Sequence, residues 1–530
     1  MAGGRFGGVR THLRHNIVSA VALLLTLVLG VLVVLPVVYM LVNAFLHEGA
    51  FSFCHFAETL GDWRRVLSLA HTSALVVSGT VAVSVVLGVP FGFFCFRTDM
   101  PWRGAMVVCA LLGVSIPLYI TSAAWCALGG MPLWAASTLG AVWIQGVAFI
   151  PYAALISGVC FAHGDPDLEE AAMLDAGPWS AFLHVVLPQG AWGIVGAAIG
   201  IGILALADIT VTDILMVRTW AEEVFVQWQL GEGPRRPMAT AYPLILLVWL
   251  LAGLLWQTFR HHGASASPGG ARRPRRIELG RARFAALGFC CLVVLLFLPV
   301  PILSLVRMTG SPGVFIQAVR DVYRELAVSV LVAPVAATLC CVLALPATRA
   351  LSVPGWGRWV VGAIVIVLLT VPAPIVGIGV IKVFNRPGLL GWFYDSPGIL
   401  VLTCCIRALP YTVLVLLPAV KRIQPQLADA AVLEGATWTA YLRFVLAPLC
   451  GRSLIIAWFL GFILSISELG ASVLVAPPGL TTLSIRFFTL VHYGVYPNIA
   501  AMCLMLLAGV LLPGAAIACL LWKQLGRKYF

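Results

Sequence analysis

Apolar runs of about twenty residues recur along the whole chain, and they constrain its fold more than any other feature. Each run is long enough to cross the ~30 Å hydrocarbon layer of a bilayer as a helix. The chain is 61% hydrophobic and only 10% charged, whereas a soluble domain carries roughly 25% charged residues. A transmembrane β-barrel is excluded, because its strands would alternate and be only about ten residues long. We therefore predict an all-α polytopic membrane protein.

The boundaries of these runs predict about twelve transmembrane helices. They lie at about 17–43, 66–96, 104–127, 133–161, 191–215, 239–259, 284–306, 326–348, 358–383, 397–420, 452–475 and 498–522. The first run is longer than the apolar region of a cleaved signal peptide. We therefore expect it to remain as the first span.

Positive charge concentrates in the loops on one side of the predicted membrane. These loops contain Arg97 and Arg103, residues 260–283, Arg349 and Arg358, Lys421 and Arg422, and Lys523, Arg527 and Lys528. The positive-inside bias assigns this side to the cytoplasm, so both termini are expected to be cytoplasmic. The net charge of +12 fits the same bias, and no nucleic-acid partner is expected.

The chain repeats itself with an offset of 259 residues. Pro151-Tyr152 matches Pro410-Tyr411, and Trp179 matches Trp438. Each half holds six predicted spans, an even number, so both halves enter the membrane with the same orientation. We predict two parallel six-helix repeats with a substrate pathway between them.

The composition along the chain predicts six segments. They are a first span with its loop at 1–65, a first transmembrane domain at 66–260, a linker rich in Arg, Gly and Pro at 261–283, a seventh span with its loop at 284–325, a second transmembrane domain at 326–522 and a tail at 523–530. The linker is expected to be flexible. Its arginines also suit contact with the anionic headgroups of the lipid bilayer.

A polar island separates the fourth and fifth predicted spans of each half. The first island contains Glu169, Glu170, Ala171, Ala172, Gly177, Trp179 and Pro188, and the second contains Asp429, Ala430, Ala431, Gly435, Trp438 and Pro448. A proline in the first turn, followed by acidic residues, favours a short helix, which the glycine would end. Such a small-faced amphipathic helix is suited to dock into a groove of another protein.

These islands resemble the cytoplasmic loop of binding-protein-dependent ABC importer permeases of type I. That loop reads Glu-Ala-Ala, then Gly, and later a hydrophobic residue before Pro. The second copy has Asp429 in place of Glu, while the first has Gly177 one residue late and Pro188 one residue early. The resemblance covers both halves and implies a fused pair of permease domains in a bacterial cytoplasmic (inner) membrane.

The same resemblance implies the partners of the chain. Each island would be a coupling helix on one of two copies of a cytoplasmic ATP-binding subunit, and an extracytoplasmic solute-binding protein would deliver the substrate. The chain has four lysines, and none lies in a phosphate-binding P-loop. We therefore expect that the chain is a transport subunit and not an enzyme, that it binds no cofactor itself, and that ATP and Mg bind to the partner.

Asp208, Asp213 and Glu468 lie within apolar runs and are the candidate residues of the substrate pathway. Asp208 and Glu468 each follow a proline, Pro188 and Pro448, by twenty residues, so they occupy equivalent positions. A carboxylate at membrane depth is costly unless it is paired or lines a water-filled path. Helix packing, gating and direct contact with a cation remain open as roles, and Asp213 is the weaker candidate.

Two segments resemble ferric-iron importer permeases. They are residues 468–484, followed by His492-Tyr493-Gly494, and residues 208–223. This resemblance implies ferric iron as the substrate, with thiamine, aminoalkylphosphonate or a polyamine as alternatives within the same class. A secondary transporter driven by an ion gradient is the alternative from another class. No metal site is expected, because the histidines are scattered and most cysteines lie inside apolar runs.

Overall fold

The computed structural model describes residues 30–47, 50–128, 137–230, 235–263, 276–491 and 496–529. The start of the first predicted span, most of the linker, and His492, Tyr493 and Gly494 lie outside these residues. Within them almost every element is a helix, because the apolar runs can satisfy their backbone polar groups internally only in this way. The fold class predicted from the sequence is confirmed.

The first half contains α1 (Gly30–Asn43), β1 (Leu46–His47), β2 (Ala50–Phe51), α2 (Cys54–Gly61), α3 (Trp63–Arg97), α4 (Arg103–Ser115), α5 (Leu118–Leu128), α6 (Thr138–Phe161), α7 (Pro166–Ala181), α8 (Leu187–Ala207), α9 (Thr210–Ile214), α10 (Trp220–Gln229) and α11 (Arg235–Gly263). A π-helix, Phe182–Val186, joins α7 to α8. The two short strands pair antiparallel, with Leu46 opposite Phe51.

The second half contains α12 (Ala282–Phe297), α13 (Pro299–Thr309), α14 (Pro312–Asp321), α15 (Tyr323–Ser352), α16 (Trp356–Thr370), α17 (Ala373–Phe384), α18 (Leu389–Tyr394), α19 (Pro397–Lys421), α20 (Pro425–Leu433), α21 (Trp438–Ala440), α22 (Ala447–Leu449), α23 (Gly451–Ile466), α24 (Ser472–Val475), α25 (Leu483–Val491) and α26 (Tyr496–Tyr529). A second π-helix, Tyr441–Leu446, joins α21 to α22.

Eight helices of the described residues are long and apolar enough to cross a membrane, and the number is eleven if three bent pairs each count as one span. The bends are 99° between α4 and α5, 109° between α16 and α17, and 89° at the start of α23. The first two bends fall inside the predicted spans 104–127 and 358–383, which were expected to be unbroken, whereas the third lies just before the predicted span 452–475. Pro117 and Pro372 explain the first two breaks, because the residue before a proline is disfavoured in the helical conformation.

The described chain divides into two compact units that exchange terminal segments. Within the described residues, one unit comprises 30–43 and 324–485, and the other comprises those between 44 and 323 and between 486 and 529. The first helix therefore belongs with the second repeat, and α12, α13 and α26 belong with the first. The predicted domain boundaries did not include this exchange.

The larger unit is built on close contacts between small residues of α3, α6 and α8. A Cβ added at Gly92 of α3 would lie 2.2 Å from the Ala154 carbonyl oxygen of α6, and one added at Gly190 of α8 would lie 1.9 Å from the Phe161 ring. Such small residues let helix backbones approach within a membrane, where dispersion replaces the hydrophobic effect as the driving force.

The smaller unit repeats this architecture with α15, α19 and α23. A Cβ added at Gly461 of α23 would lie 3.3 Å from the Thr412 side chain of α19 and 3.4 Å from the Cα of Ala337 of α15. α1 packs on α17, since a Cβ at Gly379 would lie 2.5 Å from the Pro36 carbonyl oxygen.

One hydrogen bond of the larger unit has a counterpart in the smaller unit. In the larger unit the Trp220 N–H donates to the Ser73 hydroxyl over 2.8 Å. In the smaller unit the Leu483 N–H donates to the Ser329 hydroxyl over the same distance. Each bond ties the start of a late short helix to a long early helix.

Candidate functional site

The first island forms a helix that begins at Pro166 and breaks at Gly177. The Asp165 carboxylate caps it by accepting a hydrogen bond from the Asp167 N–H over 3.0 Å. Gly177 has φ +80°, a conformation that residues with a Cβ rarely adopt. The chain then turns into a short helical stretch that holds Trp179 and continues into the π-helix.

The second island has the same construction. Its helix, α20, ends at Leu433, and Gly435 has φ +73°. The Ala436 N–H donates to the Ala431 carbonyl over 2.9 Å, which is the closing bond of a Schellman motif. Thr437 then caps the next short helix by accepting from the Ala440 N–H.

The two glycines are equivalent although their numbers differ by 258 and not by 259. The register returns at the tryptophans: Trp179 stacks on Phe182 at 5.7 Å, and Trp438 stacks on Tyr441 at 5.9 Å. The first island therefore has one residue more before its glycine and one fewer after it. A second shift falls in the π-helices, which contain five and six residues and move Pro188 and Pro448 to an offset of 260.

Each island helix exposes two leucines at matched positions. Leu174 and Leu433 are 88% and 87% exposed, and Leu168 and Leu427 are 56% and 44% exposed. Both pairs have the offset of 259. The match of Leu168 with Leu427 is part of the repeat in the sequence, but the sequence interpretation assigned docking to the acidic and alanine positions and gave these leucines no role.

The predicted island residues fall into supporting and outward-facing groups. Ala431 packs against a buried cluster built on Tyr441 and Leu446, whereas Ala171 and Ala430 are exposed. Glu170 is partly buried. The side chain of Asp429 lies outside the described part of the chain.

Glu169 supports its helix from inside the fold. Its Oε2 accepts a hydrogen bond from Arg97 at the end of α3 over 2.5 Å, and both side chains are buried. Burial raises the pKa of the Glu169 carboxyl, and the charge of Arg97 opposes this rise. At the second island, Arg349 lies over the Tyr441 ring at 5.6 Å.

Asp208 lies at a helix break and not within a continuous span. α8 ends at Ala207, and the Asp208 carboxylate caps α9 by accepting from the Thr210 and Val211 N–H groups, both over 3.1 Å. It also accepts from the Thr210 hydroxyl over 2.7 Å and from Gln145 Nε2 of α6 over 2.9 Å. These four hydrogen bonds engage both carboxylate oxygens.

Glu468 has the same local role in the second repeat. The helix before it, α23, ends at Ile466, and Glu468 Oε1 accepts from the N–H of Ala471, three residues on, over 2.8 Å. Its Oε2 lies 3.7 Å from Nε of Arg407. Arg407, in the middle of α19, also donates to the Val371 carbonyl over 3.0 Å. The sequence interpretation missed Arg407, although a lone arginine within an apolar run is a sufficient signal.

The predicted extent of the fifth and eleventh spans, to residues 215 and 475, is therefore wrong. Asp208 follows the last turn of α8 and caps α9, and Glu468 lies two residues after α23 and accepts from the Ala471 N–H just before α24. The sequence could not place these breaks, because no proline lies in the last two turns before either acid and the apolar pattern continues past both. Whether either acid contacts cargo stays a prediction.

Two substitutions at Asp208 separate helix capping from cargo contact. We expect Asp208→Ala to lower the free energy of unfolding by about 1–3 kcal/mol, because it removes the cap and leaves Gln145 without its acceptor. Asp208→Asn keeps an acceptor oxygen and should lose less. Thermal unfolding in detergent measures both effects. Full stability in Asp208→Ala would contradict the capping role, and a stable Asp208→Asn without transport would favour cargo contact.

The third predicted pathway acid, Asp213, lies on α9 beside a polar cluster on α10. Thr219 and Glu222 form a capping box at the start of α10. Glu223 forms an ion pair with Arg65 of α3 and accepts from Gln227 over 2.7 Å. α10 lies between two candidate spans and outside both.

Burial raises the pKa of the Glu222 carboxyl to about 7, with the charge of Asp213 adding to the rise and the Thr219 N–H opposing it. An unfolded glutamate titrates near ~4.3. The stability that the protonated group contributes is therefore complete below about pH 4 and is lost as the pH rises through about 7.

Glu222→Gln should remove this pH dependence. Between pH 5 and pH 8, we expect the free energy of unfolding of the wild-type protein to fall by about 2–3 kcal/mol because of this group. The variant should lose much less over the same range. Unfolding midpoints measured across that range test the expectation. A variant with the wild-type pH slope would show that another group is responsible.

Within the described residues, no group of three or more His, Cys, Asp or Glu side chains is arranged to hold a metal ion. The predicted absence of a metal site concerns the whole chain, so it stays a prediction.

Known proteins resemble part of this chain. It is 32% identical over 152 residues to a probable anion ABC transporter permease protein of Haloferax volcanii, covering 28% of this chain and 65% of the relative. A putrescine transport system permease protein of Escherichia coli is 28% identical over 148 residues, covering 27% of this chain and 51% of the relative. A putative 2-aminoethylphosphonate transport system permease protein of Salmonella paratyphi A is 30% identical over 142 residues, covering 27% and 53%.

The chain thus spans about half to two thirds of the length of these relatives. No protein-family model matches it. All three relatives are named as permease proteins, which are transport subunits and not enzymes, and none is named for iron.

Proposed function

We propose that this chain is the transmembrane permease subunit of an ATP-driven, binding-protein-dependent importer. The observation that carries the proposal is the pair of island helices. Each ends at a glycine with positive φ, continues through a stacked tryptophan and a π-helix into a span, and exposes leucines at the same offset. An ordinary interfacial helix has no reason to recur with this exposure in both halves.

The exposed leucines suit a docking role. A short helix that presents apolar side chains to a groove is a recurrent mode of recognition. In this proposal, two ATP-binding subunits each receive one island helix. Their closure on ATP moves both helices, and the spans that continue from them open or close the pathway.

Two lines of support point to different substrate classes. The resemblance of residues 208–223 and 468–484 to ferric-iron permeases favours ferric iron. The names of the relatives favour a polyamine, an aminophosphonate or another small anion. Asp208 and Glu468 already accept hydrogen bonds from their own repeats, so we assign the choice of substrate to the solute-binding protein.

The experiment that tests the proposal is reconstitution of the chain with candidate ATP-binding subunits and candidate solute-binding proteins. We expect hydrolysis to rise when one loaded binding protein is added. Ferric iron, thiamine, putrescine and 2-aminoethylphosphonate are tested in turn, and the solute that stimulates identifies the substrate. If the rate of ATP hydrolysis is the same with and without the chain, whichever loaded solute-binding protein is added, the assignment is overturned.

A further inference from the structure

The end of α3 joins three segments that are far apart in the sequence. Arg97 is the last residue of this helix and is 2% exposed. Its side chain donates to Glu169 of the first island helix over 2.5 Å. Its backbone carbonyl accepts from the Ile277 N–H over 2.9 Å, where the chain leaves the linker and approaches α12.

The contact with the linker end is a small clip with several bonds. Thr98 and Ile277 form a parallel β-bridge, and the Asp99 N–H donates to the Ile277 carbonyl over 3.3 Å. The Asp99 carboxylate accepts from the Leu279 N–H over 2.9 Å. The residues beside Arg97 therefore hold the chain just before α12 against the end of α3.

The ion pair between Arg97 and Glu169 is not arranged for the greatest stability. Arg97 Nε and Glu169 Oε1 are buried without a hydrogen-bond partner, so a single hydrogen bond serves two desolvated charges. Apolar residues of similar volume often replace such a pair without loss of stability. The role of this ion pair is better explained by the fixed position that it imposes on the first island helix.

The second repeat is built differently at this place. Ala428 occupies the position 259 residues after Glu169. The nearest equivalent contact is Arg349 over the Tyr441 ring at 5.6 Å, and that ring belongs to the π-helix and not to the island helix. Among the side chains that the structure describes, which do not include that of Asp429, the ion pair occurs at the first island.

We infer that Arg97 is a positioning residue that fixes the first island helix to α3 and, through the Ile277 clip, to the chain entering α12. A movement of the first island helix would then displace both α3 and the start of α12, because all three meet at Arg97. The transport part of this inference rests on the proposed function, whereas the positioning part does not.

The first test measures hydrogen exchange in purified wild-type chain and in Arg97→Gln. Because the variant leaves the Glu169 charge buried without its partner, we expect amides of residues 166–176 to exchange at least about tenfold faster, while those of 425–433 are unchanged. Lowering the pH, which protonates Glu169, should restore protection, as should Arg97→Gln combined with Glu169→Gln. Arg422→Gln, at an exposed arginine beside the second island, is the control and should change neither segment.

The second test measures transport per ATP hydrolysed in the reconstituted complex. We expect Arg97→Gln to retain the ATP-binding subunit, because the exposed leucines are unchanged, and to lower the ratio about tenfold. The double variant should recover most of it. Should Arg97→Gln fail to fold, Arg97→Lys replaces it in both tests, and smaller effects in the same direction are expected.

Unchanged exchange at 166–176, or exchange that rises equally in both islands, would overturn the inference. A transport ratio equal to wild type would overturn its transport part. If exchange responds as expected but the wild-type chain shows no ATP-driven uptake, the proposed function fails while the positioning role stands.

Discussion

Replacing Leu174 and Leu433 together by aspartate is expected to prevent the ATP-binding subunit from co-purifying with the chain. Both side chains are almost fully exposed, at 88% and 87%, so the change should not disturb the fold. If each leucine fills a pocket of the partner, burying a carboxylate there would cost at least about 2 kcal/mol, which is a roughly thirtyfold loss of affinity at each site.

A matched control is Asp175→Asn. Asp175 is an exposed neighbour of Leu174 on the same helix, and its change alters charge without touching the apolar contact. We expect this variant to retain the partner, and the double aspartate variant to keep its wild-type unfolding midpoint. Normal co-purification of the partner with the double variant would refute docking through these leucines.

The second large effect is expected from Gly92→Ala in α3. The added Cβ would lie 2.2 Å from the carbonyl oxygen of Ala154, and a backbone atom cannot move aside as a flexible side chain can. Overpacking of this kind costs typically about 1–3 kcal/mol, and we expect a value at or above the upper end. Thermal unfolding in detergent, followed by the yield of folded protein, measures the loss.

Gly200→Ala in α8 is the control for this prediction. A Cβ at Gly200 would meet no atom within 4 Å, so the substitution should be neutral or stabilise the helix by up to about 1 kcal/mol. Equal unfolding midpoints for the two variants would show that the contact between α3 and α6 is looser than described here.

The sequence predicts the repeat and its islands because both depend on local chemistry. A proline at the helix start, a glycine at its end and a tryptophan beyond it each act within a few residues. The positions of Gly177 and Gly435 show this: their unequal spacing in the sequence hides equivalent positive φ values. The local sequence pattern therefore marks both islands, although their glycines differ in register by one residue.

The sequence does not predict the helix breaks at Asp208 and Glu468, because each depends on a cap within a run that stays apolar. Hydropathy indicates only whether a segment is apolar enough to lie in lipid. At each break, the segment before it and the segment after it are both apolar enough. The pairs of Arg97 with Glu169 and Arg407 with Glu468 join residues 72 and 61 positions apart. Contacts at such separations are set by helix packing, to which local patterns are insensitive.

The exchange of terminal helices between repeats has the same origin. α1 and the helices of the second repeat are all apolar, and nothing in their composition states which repeat each one joins. Close approaches such as Pro36 to Gly379 depend on shape complementarity between particular surfaces. The sequence thus predicts that these helices span the membrane, but not their neighbours.

The most direct test of the proposed function is solute uptake by proteoliposomes that contain the purified chain. With the ATP-binding subunit and the loaded solute-binding protein present, we predict uptake that requires ATP, persists when all ion gradients are collapsed, and disappears in the Leu174→Asp/Leu433→Asp variant. Uptake by the chain alone, driven by an ion gradient and indifferent to ATP, would contradict the account and identify a secondary transporter.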